Sequence, residues 1–172
     1  MKKCLSSIAI IILLLVALTG CAVQDNNSKK QEKSIAGESF VESHENSLIK
    51  FDKKGNFKYY KSEDDLNDNY YEGTYEFYCG SKAKELVTGD RFSEYGVTSE
   101  ELSDYFERNK DSEIYNEDNI CLLVLTNKKI VIDGEEKDMK NMESPYYGFY
   151  YNDVLDVVKM NSGTTFTFEK VK

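Results

Sequence analysis

From about residue 40 onward, short runs of alternating apolar and polar residues follow one another, each broken by turn-forming residues. Alternation with a period of two puts one set of side chains on each face of a strand. A first strand is predicted near residues 40–43. Residues 47–51 (SLIKF) and 57–61 (FKYYK) follow as the arms of a hairpin. Between them, Gly55 stands late in the loop, where the left-handed conformation that closes a short hairpin is needed. In residues 70–79 (YYEGTYEFYC), one face reads Tyr71, Gly73, Tyr75, Phe77 and Cys79. It is the more apolar face and is predicted to point to the core.

The middle of the chain changes period. Residues 81–87 predict a short helix, and VTSEELSDYFERNK predicts a longer one. Thr98 and Glu101 have the spacing of a capping box, Val97 can staple onto Leu102, and acids precede bases along the segment. Leu102, Tyr105 and Phe106 share one face at helical spacing. Strand patterns then resume. Residues 119–125 (NICLLVL) are almost continuously apolar and predict the best-buried strand, with 129–133 as a separate strand across Thr126-Asn127-Lys128. Residues 146–151 (YYGFYY), 154–160 and 164–171 complete the series. The expectation is a mainly β domain: an antiparallel up-and-down barrel of eight or nine strands, or a sandwich, with a helical insertion around residues 81–110 packed over one end of a sheet.

The amino terminus has a different pattern. Lys2 and Lys3 precede an unbroken apolar run from Ile8 to Leu18, followed by the small residues Thr19 and Gly20. That order is the layout of a secretory signal peptide. The run has 11 residues, whereas a bilayer-spanning helix needs about 20. Leu18-Thr19-Gly20-Cys21 resembles the lipobox of bacterial lipoproteins. The resemblance implies cleavage before Cys21, a diacylglyceryl group on its thiol, and anchorage on the extracytoplasmic face of the cell membrane. Two acyl chains hold stably where one holds only marginally. The expected organisation is a signal peptide at 1–20, a lipidated flexible tether at 21–33 and one domain at 34–172. The polar tether would span roughly 20 Å root-mean-square.

Within that domain, GESF at 37–40, IKFDKKGNFKYY at 49–60 and GTYEF at 73–77 resemble the lipocalin-like small barrels of bacterial envelope lipoproteins. The likeness spans about 40 residues. It departs from the family pattern at Phe40, where a tryptophan is expected, and in the helical insertion.

Charge narrows the range of partners. Losing the two lysines of residues 1–20 takes the net charge from −9 to −11, which excludes the basic footprint that nucleic acid requires. Tryptophan is absent, so thirteen tyrosines and nine phenylalanines carry the large apolar surface. His44 is the sole histidine and reads as a surface residue at a strand end. No ligand spacing of a zinc site is present, nor is a nucleophile elbow or a phosphate loop. No cofactor is expected. Glu63, Asp64, Asp65 and Asp68 gather in SEDDLNDN, read as a solvated hairpin loop in preference to a calcium site. Cys79 and Cys121 fall in strands flanking the insertion; they are either a disulfide or two buried small apolar side chains. Tyr71, Tyr75, Tyr147 and Tyr151 are the candidate ligand-binding residues, against the alternative of core packing. The functional expectation is a non-enzymatic, lipid-anchored binding protein of the cell envelope that takes a small apolar ligand or a protein. An inhibitor or immunity-type module is the alternative, followed by an envelope enzyme or accessory subunit.

Overall fold

The computed structural model describes residues 33–172; the expected signal peptide, Cys21 and the tether up to residue 32 lie outside the described residues. Eight strands form one closed antiparallel barrel in simple chain order: β1 Ser39–Glu42, β2 Leu48–Phe51, β3 Asn56–Ser62, β4 Asp65–Cys79, β5 Ile120–Ile132, β6 Glu135–Tyr151, β7 Val154–Lys159 and β8 Thr165–Lys170. β1 closes the barrel against β8, with Phe40 opposite Lys170. Over the length of β7 and β8, closure removes the sheet edges that an open sheet would present. The up-and-down order is that of a lipocalin-like barrel. Between β4 and β5 lie α1 Ser81–Val87, a 3-10 turn at Asp90–Tyr95 and α2 Ser99–Arg108.

Two segments expected as separate strands, 119–125 and 129–133, are one strand. The chain does not turn at Thr126-Asn127-Lys128; β5 runs on, with the register to β4 shifting around Lys128. This stretch has no glycine or proline to force a turn, and a bulge absorbs the extra residue. Gly73 sits at the same place on β4, where a Cβ would lie 1.9 Å from the Thr126 carbonyl oxygen. Only glycine allows the two backbones to approach this closely.

Phe40, Ile49, Phe51, Phe57, Leu123, Leu155, Val157 and Phe168 are buried together inside the barrel. Aromatic rings meet across this interior: Phe40 lies edge-on to both Phe51 and Tyr150, and Tyr150 lies edge-on to Phe77. Ile35, on the segment before β1, is buried in the same cluster. Lys33, two residues before it and expected as the last tether residue, donates to the carbonyl oxygens of Asp118 and Tyr150 and to Asn119 Oδ1. The first described residues therefore lie at the barrel end where β4 stops and β5 starts.

The continuous apolar run of β5 is explained by burial on both faces. Cys121, Leu123 and Leu125 point inward. Ile120, Leu122 and Val124 point outward and are covered by Ala83, Val87, Phe92 and Leu102 of the insertion. The insertion thus packs on the outer wall of the barrel, rather than over one end of the sheet. Arg91 fastens it there: its guanidinium donates to both carboxylate oxygens of Glu76 on β4, at 3.0 Å each, and to Glu143 on β6 at 2.9 Å.

At the opposite barrel end β4, β5 and β6 run past the shorter strands into solvent. A ladder of charges crosses the outer face from β3 to β6, with Glu72 between Lys58 at 3.4 Å and Lys129 at 3.2 Å, and Lys129 also on Glu136 at 3.0 Å. Much of the acidic SEDDLNDN segment is therefore strand rather than loop, since β4 already begins at Asp65.

Candidate functional site

α2 begins where its sequence dictates. The Thr98 hydroxyl accepts from the Glu101 amide at 3.2 Å, and the Glu101 carboxylate accepts from the Thr98 amide at 3.1 Å. This capping box satisfies donors that have no partner inside the helix. Leu102, one turn in, is buried against the barrel wall. Tyr105 follows one turn later at helical spacing. Its ring stacks on Phe149 of β6 with centroids 5.8 Å apart, and Tyr115, from the loop after α2, stands edge-on to Phe149 at 5.2 Å.

These rings form part of the wall of a groove of about 730 Å³ between α2 and the outer face of β5, β6 and β7. The volume falls in the range of small-molecule sites, roughly 300–1,000 Å³. Tyr147 and Phe149 supply its β6 side, while Arg108, Glu101 and Asp156 add charge to an otherwise apolar lining. Burial raises the Tyr105 hydroxyl above its ordinary range, with Tyr115 and the Asp156 carboxylate adding to the effect. The phenol therefore stays protonated at neutral pH and can donate a hydrogen bond.

The four tyrosines expected to share a site are divided by the barrel wall. Tyr71 and Tyr75 pack against the interior cluster, Tyr71 beside Tyr59 and Tyr75 edge-on to Phe51 at 4.8 Å. Tyr147 lies outside, beneath the insertion. Tyr151 has the same outward parity, and its hydroxyl donates to Glu113 at 3.2 Å. The inward residues of this part of β6 are Tyr146 and Tyr150. Burial pushes the Tyr150 hydroxyl up to about 12, with Asp153 contributing, and raises that of Tyr146 as well. Only Tyr147 of the expected set lines the groove.

Tyr115, Phe149 and Arg108 are site residues that the sequence pattern does not reveal. Tyr115 lies in an acid-rich loop without periodicity, and Phe149 is hidden in a run that is aromatic on both faces. The legible signals are Tyr147 and the helical stripe that contains Tyr105.

Among the described residues, no group of three or more His, Cys, Asp or Glu side chains is placed to hold a metal ion. His44 is exposed in the turn after β1, where its amide donates to Glu42. Cys79 and Cys121 are free thiols directly opposite each other on β4 and β5. No protein-family model, curated protein or solved structure matches this chain.

Proposed function

We propose that this chain is a non-enzymatic binding protein of the bacterial cell envelope, anchored on the extracytoplasmic face through lipid on Cys21, and that it engages its partner in the groove between α2 and the barrel wall. The observation that carries the reading is the groove itself: stacked and edge-on rings on one side, charge at its margins, and an opening to solvent. The barrel interior, where a lipocalin-like protein would hold a small ligand, is occupied by the chain's own aromatic side chains.

A groove open to solvent favours a protein partner over a small molecule. Small ligands are usually buried over most of their surface, whereas a protein segment brings its own cover. An inserted aromatic or aliphatic side chain would meet Tyr105 and Phe149, and the charged rim would set its orientation. The anchor reading is supported by the charged start, the apolar run and Leu18-Thr19-Gly20-Cys21. No helix among the described residues is long and apolar enough to cross a membrane.

Two measurements test the proposal. Labelled palmitate should enter the wild-type chain and the membrane fraction should retain it, while Cys21→Ser should lose both label and retention. Equal labelling of the two would refute the anchor. Native mass spectrometry of the purified protein should give the mass of the polypeptide and its lipid alone. A further co-purifying small molecule would transfer the groove from a protein partner to that ligand.

A further inference from the structure

We infer that Cys79 and Cys121 are a cross-strand disulfide site that ties together the two ends of the groove-forming insertion. The register places Cys79 of β4 directly opposite Cys121 of β5. In an antiparallel ladder, opposite residues alternate between hydrogen-bonded and non-hydrogen-bonded pairs, and side chains approach most closely in the latter. The hydrogen bonds on either side identify which kind this is. The Gly80 amide donates to the Ile120 carbonyl, so the adjacent opposite pair is hydrogen-bonded. The Tyr75 amide donates across to Gly55 on the β3 side. Odd-numbered residues in this part of β4 therefore turn their amides away from β5, and Cys79 is one of them. On the other strand, the Asn119 carbonyl accepts from the Tyr150 amide, so Cys121 by the same alternation bonds toward β6.

Cys79 and Cys121 are thus a non-hydrogen-bonded pair, for which the Cα atoms are about 4.5 Å apart. That lies within the roughly 4.4–6.8 Å span of disulfides. Both side chains belong to the barrel interior, Cys121 fully buried and Cys79 half-buried at its margin. No strand has to move for them to join. The bridge would close the loop from residue 79 to residue 121, which contains α1, the 3-10 turn and α2.

The chemistry is thiol–disulfide exchange with a low-molecular-weight disulfide of the oxidised-glutathione class. The Cys79 thiolate, on the more accessible side, attacks one oxidant sulfur; the oxidant S–S bond breaks and half of it leaves as a thiol. Cys121 then gives up its proton and attacks Cys79 Sγ, expelling the second half as a thiol. Two protein thiols are oxidised and one disulfide is reduced to two thiols. Burial pushes the Cys79 thiol up to about 12 and raises Cys121 as well, with Lys33 opposing the shift on both and Asp156 adding to that on Cys121. Exchange requires the thiolate, so formation is slow at neutral pH and accelerates as pH rises.

In the cell this step needs an oxidising compartment and so rests on the extracytoplasmic reading; the pairing itself rests on the register alone. The test incubates the purified full chain with oxidised glutathione at pH 8.5, blocks free thiols and maps peptides without reduction. A linked Cys79–Cys121 peptide is expected, absent from Cys79→Ser, together with a rise of about 10 °C in the unfolding midpoint. Recovery of Cys121 as a free thiol while Cys79 carries glutathione would overturn the proposal. Thiol trapping during cell lysis separates the two readings. Linkage in vitro with free thiols in the cell would leave the pairing intact and count against the extracytoplasmic address.

Discussion

The inward and outward faces of β6 can be distinguished by two adjacent substitutions, Tyr150→Ala and Tyr151→Ala. Tyr150 is 7 % exposed and lies edge-on to Phe40 and Phe77, with centroids 6.3 and 5.7 Å away. Truncation to alanine removes most of a buried aromatic surface of at least about 150 Å². At about 25 cal/mol per Å² that is roughly 4 kcal/mol before any cavity relaxes. Measured aromatic-to-alanine changes in cores, about 3–5 kcal/mol, bracket the figure. Tyr151 is only partly buried, and its hydroxyl meets the exposed Glu113 at 3.2 Å. Its loss should cost about 1 kcal/mol or less. In urea, with a slope of roughly 2 kcal/mol per molar, Tyr150→Ala should lower the midpoint by about 2 M and Tyr151→Ala by about 0.5 M. Equal losses, or the larger loss at Tyr151, would refute the inward placement of Tyr146 and Tyr150 and the barrel register with it.

Four further outcomes follow from the same geometry. Gly148→Ala should destabilise the barrel by about 3 kcal/mol in chemical denaturation, because a Cβ there would lie 2.1 Å from the Asp156 carbonyl oxygen. Arg91→Met should loosen the insertion by about 1 kcal/mol or less at pH 7, since the ion pairs are partly exposed. Hydrogen exchange in α1 should accelerate in that variant. The stability gap between wild type and Arg91→Met should close in acid. Arg91, with the Tyr78 hydroxyl, holds the Glu76 carboxyl below its ordinary value of 4.5. This contribution is therefore complete above 4.5 and is lost as pH falls through the depressed folded value. A gap that widens on acidification would contradict the assignment.

How much was legible depended on whether the two faces of a segment differed. The Thr98–Glu101 capping box and the Gly55 turn announce themselves through single residues, and both are found where expected. The NICLLVL run is the best-buried strand, as its pattern predicts, although only the structure shows that its outer half is covered by the insertion. YYGFYY defeats a period-two reading because both of its faces are aromatic, and the placement of Tyr147 and Tyr151 in one site with Tyr71 and Tyr75 failed there. The polar stretch EEKDMKNM carries no strand pattern. It forms the first half of β6 through pairing with β5 and buries almost nothing, so hydrophobic pattern had no signal to give. The 3-10 turn at Asp90–Tyr95 escaped for a similar reason, with Phe92 its only buried residue. The groove escaped because its rings come from four separate segments: the 3-10 turn, α2, the loop after it and β6.

The most direct measurement is site-specific photo-crosslinking in intact cells. A photoreactive phenylalanine analogue placed at Tyr105 lies in the groove, whereas one at Lys50 on β2 lies on the far wall, four strands around the barrel from β6. One discrete crosslinked envelope protein is expected from position 105, weakened by Phe149→Ala, and none from position 50. The same adduct from both positions, or one from position 50 alone, would contradict the groove as the binding site.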